Sequence, residues 1–190
     1  MVEPLIAKRI RVVGFDVDGV MTDGGVYVGT VGGRPVELKR FDIQDNVGVK
    51  LLRDGGIKVV VVSGRVSEAT RLRAEELQVH EVAQDNLARK LPAFEGILLR
   101  MGLRMEEAAF MGDDLPDLPI LKRVALPVAV ANARPEVRQV AQYTTQAIGG
   151  HGAVREFAEA LLRSRGEWDE LVGQYLSERG EGAARSAGVP

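Results

Sequence analysis

Apolar residues in this chain gather in short continuous runs, Ile10 to Phe15, Ile57 to Val62, Ala108 to Met111 and Val124 to Val130. Between the runs they recur every three or four positions. Runs this short and rich in Val and Ile predict buried strands, and the spacing over Val47 to Arg53, Ser67 to Leu77, Leu87 to Met101 and Leu118 to Arg123 predicts helices. Alternating strands and helices predict an α/β fold, a mostly parallel sheet with helices on both faces. One segment breaks the rhythm. From Gly25 to Phe41, Val26 and Val28 alternate with polar or small neighbours, Thr30-Val31-Gly32-Gly33 has turn chemistry, and Val36 and Leu38 resume the alternation. That pattern predicts a β-hairpin inserted after the first strand. Ala153 to Leu162 and Trp168 to Leu176 again have helical spacing, the first entered through Gly149-Gly150-His151-Gly152. No repeat or long linker divides residues 1–179, so they read as one domain, and the small and charged residues of 180–190 predict a disordered tail.

Composition narrows the function classes. The 190 residues suffice for one domain with a sizeable core. Lys plus Arg number 25 against 27 Asp plus Glu, which leaves no basic footprint for nucleic acid and no acidic tract for disorder. There is no cysteine, hence no disulfide framework and no thiolate metal site. Met1 to Arg11 lacks the apolar core of a signal peptide, and no apolar run approaches the length of a membrane span. A soluble cytoplasmic protein is the expectation.

The candidate chemistry lies where the apolar runs stop. Phe15-Asp16-Val17-Asp18-Gly19 places two carboxylates two positions apart at the end of the first run, and in an open α/β sheet the carboxyl ends of strands build the site. Like charges this close call for a cation or for a proton held on one of them. Val62-Ser63-Gly64-Arg65 puts a hydroxyl and an open backbone at the end of a second run, suited to an anion. Lys90 opens a helix, and Met111-Gly112-Asp113-Asp114-Leu115-Pro116-Asp117 brings three more acids to a third run's end. Asp114 ahead of Pro116 reads as a helix cap, which leaves the other two carboxylates unexplained.

Asp16-x-Asp18-Gly19, Ser63-Gly64-Arg65, Lys90 and Gly112-Asp113-Asp114-x-x-Asp117 resemble, in that order, the four motifs of the haloacid dehalogenase superfamily of phosphohydrolases. Longer stretches, Asp16 to Gly24, Gly112 to Asp117 and Gly149 to Glu156, resemble its 3-deoxy-D-manno-octulosonate 8-phosphate phosphatase family, over about Val12 to Gln174. The resemblance implies a Rossmann-like sheet and a magnesium-dependent phosphomonoesterase of lipopolysaccharide biosynthesis that works through an aspartyl phosphate. It implies Asp16 as nucleophile and Asp18 as general acid and base. Mg²⁺ would be held by the Asp16 and Asp113 carboxylates and the Asp18 carbonyl, with Asp114 and Asp117 as orienters. Ser63 and Gly64 would bind the phosphoryl oxygens, Lys90 would offset charge, and Arg65 and His151 would meet the substrate. His151 stands where the family usually has arginine, and Asn46 where it has glycine. The approach to Lys90 is one residue longer than the family pattern, so Arg89 competes for the lysine's place.

Asp18 and Ser63 are about forty-five positions apart, which the hairpin and one helix consume, so no cap domain is expected. A neighbouring subunit must then enclose the substrate, and the resemblance implies a homotetramer packed through its hairpins. Other readings fit less well. A receiver domain orders its acids, hydroxyl and lysine differently, and an EF-hand would need a ligand at Val20 and a glutamate at the loop's end. A noncatalytic oligomerisation module would have lost groups that are all present here. Phosphatases of other nonulosonate or sugar phosphates stay open as alternatives.

Overall fold

The structure is a computed structural model and describes residues 1–180. Its centre is β1 (Val12–Phe15), every residue of which is buried. β1 lies between β4 (Lys58–Ser63) and β6 (Ala108–Gly112), and the parallel sheet runs outward through β5 (Glu81–Gln84) on one side and β7 (Leu126–Ala129) and β8 (Tyr143–Thr144) on the other. The strand order 5-4-1-6-7-8 reverses its direction of growth at β1. A crevice therefore opens beyond the carboxyl end of β1, directly ahead of Asp16.

Continuous apolar runs arise because both faces of the sheet are covered. On one face α2 (Gln44–Asp54) packs against α7 (Ala153–Arg165), joined by α1 (Pro4–Arg9) and α8 (Trp168–Ser177). Phe15 meets Phe157 of α7 edge to face there, with ring centroids 6.5 Å apart. On the other face α4 (Lys90–Met101), α5 (Leu118–Leu121) and α6 (Pro135–Val140) form a row. Phe94 of α4 stacks edge-on against Phe110 of β6 at 5.3 Å. Gly14 faces this pair, and a Cβ on it would lie 2.5 Å from the Phe110 ring. The remaining helix, α3 (Glu68–Glu76), follows β4 and is capped by the Ser67 hydroxyl.

The hairpin stands apart as its own two-stranded sheet, β2 (Tyr27–Val31) and β3 (Arg34–Leu38). The helix expected from Leu87 begins only at Lys90, because 85–89 form a turn in which Ala88 adopts a left-handed conformation, φ 53°. The helix expected to reach Arg123 ends at Leu121. Among the helices and strands of the parallel-sheet domain, α1, α6 and the two-residue β8 were not expected. The expected tail lies, but for Gly180, outside the described residues.

Candidate active site

Three segments far apart in sequence deliver charge to the end of β1. Asp16 leaves the strand with its N–H bonded to Met111 of β6, 3.0 Å away, so its side chain starts from a fixed base. Asp113 and Asp117 come from the turn after β6, and Lys90 from the first turn of α4. Asp16, Lys90 and Asp117 are all buried. Lys90 Nζ lies 2.6 Å from Asp16 Oδ1 and 2.8 Å from Asp117 Oδ1. Carboxylate oxygens of Asp16, Asp113 and Asp117 approach within 4.8 Å of one another.

Three carboxylates against one ammonium leave the cluster short of positive charge. Burial, aided by the neighbouring Asp117, pushes the Asp16 carboxyl well above its ordinary range, although Lys90 pulls it back. The same two causes push Asp113 up to about 6. Burial alone would depress Lys90, but Asp16 and Asp117 outweigh it and hold the ammonium firmly charged. Asp113 Oδ1 is buried and has no hydrogen-bond partner among the described residues. Both Asp117 oxygens are committed, Oδ1 to Lys90 and Oδ2 to the N–H groups of Asp113 and Asp114 at 3.0 and 3.3 Å. The set thus fits a divalent cation on Asp16 and Asp113, oriented by Asp117 from behind, with oxygen donors as a hard cation requires.

The turn that follows completes the site. Gly19 sits at φ +97°, and a Cβ there would lie 2.2 Å from Asp113 Oδ2, so the backbone beside Asp18 presses on the Asp113 carboxylate. A cleft of about 290 Å³ opens over these groups, lined by Asp16, Asp18, Gly64, Arg65, Lys90 and Asp113, with Ala88 and the 114–117 turn at its rim.

The other expected residues are distributed less simply. Ser63 is buried behind the cleft, its hydroxyl donating to Arg65 O at 3.1 Å and accepting from Arg65 N at 3.2 Å, while Gly64 faces the opening. Arg65 lines the cleft and is tied to Glu37 of the hairpin, 2.7 Å away. Lys90, not Arg89, takes the cluster position. Ala88 ahead of it is left-handed, and Arg89 turns outward to Asp85. Asp114 caps the turn through Leu115 N, as its place before Pro116 predicted. His151 is exposed and lies away from the cleft, with Nδ1 2.9 Å from Gly149 O and Nε2 3.5 Å from Arg40 Nη1. Asn46 likewise lies elsewhere, bonded to Glu76 and to the guanidinium of Arg73.

Two residues entered the site unexpected. Lys39 Nζ lies 2.7 Å from Asp18 Oδ1 and 3.6 Å from Glu37 Oε1. Glu37 and Lys39 stand two positions apart at the end of β3 and so share one side of it. That charged alternation is visible in the sequence beside the apolar one formed by Val36 and Leu38.

Known proteins share this arrangement of chain. The sequence is 38% identical over 170 residues to the 3-deoxy-D-manno-octulosonate 8-phosphate phosphatase KdsC of Escherichia coli strain K12, a match covering 90% of this chain and 88% of that protein. The protein of the same name in Yersinia pestis is 36% identical over 167 residues, covering 88% of this chain and 87% of its own. Among solved structures, the phosphatase of Moraxella catarrhalis, in complex with magnesium ion, phosphate ion and a KDO molecule, superposes with a TM-score of 0.85 at 32% identity, over 90% of this chain and 97% of that one. A cobalt-bound deoxy-D-mannose-octulosonate 8-phosphate phosphatase from Haemophilus influenzae gives 0.79 at 32% identity, over 86% and 93%. Haloacid dehalogenase-like hydrolases as a family match residues 85–156.

Proposed function

Because this chain belongs to the 3-deoxy-D-manno-octulosonate 8-phosphate phosphatase family of haloacid dehalogenase-like hydrolases, we propose that it hydrolyses that ester to 3-deoxy-D-manno-octulosonate and inorganic phosphate. The observation that carries the reading is the meeting of Asp16, Lys90 and Asp113 in one buried cluster beneath an open cleft.

The Asp16 carboxylate attacks phosphorus, forming an acyl phosphate as the bond to the sugar oxygen breaks. Asp18, on the wall of the same cleft, gives its proton to the departing oxygen. It then takes a proton from the water that attacks the aspartyl phosphate, which releases phosphate and restores Asp16. Lys90 neutralises charge shared between Asp16 and the phosphoryl group, and the Gly64 N–H donates to a phosphoryl oxygen. Arg65 offers a cation to the phosphate or to the sugar-acid carboxylate. The Asp16 and Asp113 carboxylates and the Asp18 carbonyl would hold a Mg²⁺ ion, which would supply positive charge to offset the repulsion between the phosphate and the carboxylate.

Residues 1–179 are read as one catalytic unit without a cap, working in the cytoplasm as a homotetramer whose hairpins pack together. Exposed Tyr27, Val28, Val31 and Leu38 on the hairpin favour that assembly. Among the described residues no helix is long and apolar enough to cross a membrane.

Phosphate release from the purified chain, with and without magnesium, tests the assignment across 3-deoxy-D-manno-octulosonate 8-phosphate, nonulosonate 9-phosphates and neutral hexose phosphates. The expected result is magnesium-dependent turnover highest on the first. A preference for neutral sugar phosphates by about a hundredfold in kcat/KM, roughly 2.7 kcal/mol, overturns it.

A further inference from the structure

We propose that Lys39, delivered by the end of the hairpin, is a positioning residue that holds the Asp18 carboxyl in line with the leaving oxygen of the substrate. The proposal rests on Asp18 being the acid and base of the reaction. Its first support is geometric. The Lys39 side chain is wholly buried, and its Nζ lies 2.7 Å from Asp18 Oδ1, 3.4 Å from Thr70 Oγ1 of α3 and 3.6 Å from Glu37 Oε1 of β3. A buried ammonium is retained only where it is paired, and here its nearest charge is the one carboxylate whose direction matters twice in the reaction. Glu37 extends the chain outward, since its other oxygen takes Arg65 Nη2 at 2.7 Å. Asp18 is thus the inner end of a row of alternating charges that runs along the hairpin's edge to the mouth of the cleft.

The second support is what Lys39 does not touch. The cleft lining includes Asp18 and Arg65, whereas the Lys39 side chain is sealed from solvent behind them. Substrate meets Asp18, and Lys39 acts through it. The contact is an ion pair off the line of a good hydrogen bond, so what it supplies to the carboxyl is a fixed direction. Such a brace is needed because the backbone at Asp18 and Gly19 is non-helical within an otherwise helical turn, and Gly19 gives the chain no side chain to pack.

A leaving-group test separates this role from charge neutralisation alone. An alkyl ester such as 3-deoxy-D-manno-octulosonate 8-phosphate needs a proton on its departing oxygen, whereas p-nitrophenyl phosphate expels a stable phenolate without one. Lys39→Met is expected to lower kcat/KM on the alkyl ester by ~10- to 100-fold, part of the full general-acid contribution, and on the aryl ester by less than about threefold. Lys39→Arg is expected to restore part of the loss. Should Lys39→Met not fold, Glu37→Gln carries the test, with a smaller loss of the same selectivity. Equal losses on both esters, or none on either, overturn the proposal. Asp18→Asn measured alongside keeps the premises apart. If its kcat/KM falls selectively on the alkyl ester while that of Lys39→Met does not, only the role of Lys39 falls; if its kcat/KM falls equally on both, the acid assignment itself falls.

Discussion

In the proposed reaction a single side chain, Asp16, is the nucleophile, and its surroundings make a sharp prediction about its removal. Burial and Asp117 already disfavour its charge, so the isosteric and neutral Asn relieves a cost in the fold while removing the nucleophile. Asp16→Asn is expected to abolish phosphate release and to leave the thermal midpoint in metal-free buffer unchanged or higher. Undiminished turnover of the purified variant would remove Asp16 from its role, and a large fall in the midpoint would contradict the electrostatic account. At this scale the sequence was readable wherever an acid ended an apolar run, because a buried strand has no other use for a carboxylate. Asp16 and Asp113 fall in that class. Lys39 and Glu37 did not, since they sit on a strand whose apolar members set the pattern and whose charged members point where only the folded hairpin can take them. The Ser63 hydroxyl also holds the turn of Arg65, a local bond that spacing could not reveal.

Elements meet around the turn after β1, and two of their junctions can be tested. The loop before α7 lies on that turn so closely that a Cβ on Gly149 would fall 1.8 Å from Gly19 O, while Gly150 N–H bonds Val20 O at 2.9 Å. Backbone cannot yield as a flexible side chain can. Gly149→Ala is expected to cost ~1–3 kcal/mol of stability and to lower turnover by displacing Asp18, read by thermal unfolding and by phosphate release; a variant with wild-type values on both contradicts the packing. The second junction is Asp45, buried at the start of α2 and accepting the Arg155 N–H of α7 at 2.9 Å. Burial pushes its carboxyl up to about 7, against an ordinary 3.8. The folded state therefore holds a proton that the unfolded chain releases, so its contribution is fully present below about pH 4 and is lost as pH rises to about 7. Asp45→Asn is expected to flatten the stability profile across that window in urea titrations, and an unaltered slope would show that Asp45 is not the group responsible. Long apolar runs and helical spacing made β1, β4, β6, α2 and α7 legible. The unexpected β8 is an edge strand of only two positions, and α1 and α6 span six residues each, too short for a period to repeat.

On the scale of the whole molecule, the hairpin is the element that one copy of the chain leaves unfinished. All ten residues of β2 and β3 but Glu37 are exposed, including Tyr27, Val28, Val31 and Leu38, and an isolated two-stranded ribbon is marginal in water. Yet its far end carries Lys39 into the catalytic cluster, so a loose ribbon would leave Asp18 unbraced. Packing the hairpins of several copies together would bury the apolar residues and steady that end at once. Closed symmetric assembly is the economical way to do it, since one self-complementary patch serves every subunit. The purified chain is accordingly expected to run as a tetramer in light scattering at micromolar concentration. Val28→Glu, which places a charge among the exposed apolar residues without touching the cleft, is expected to yield smaller species and to lower kcat/KM on the alkyl ester more than on p-nitrophenyl phosphate. A monomeric wild type would remove assembly as the support of the hairpin. A Val28→Glu monomer with full and unselective activity would show instead that the ribbon holds Lys39 in place by its own strength.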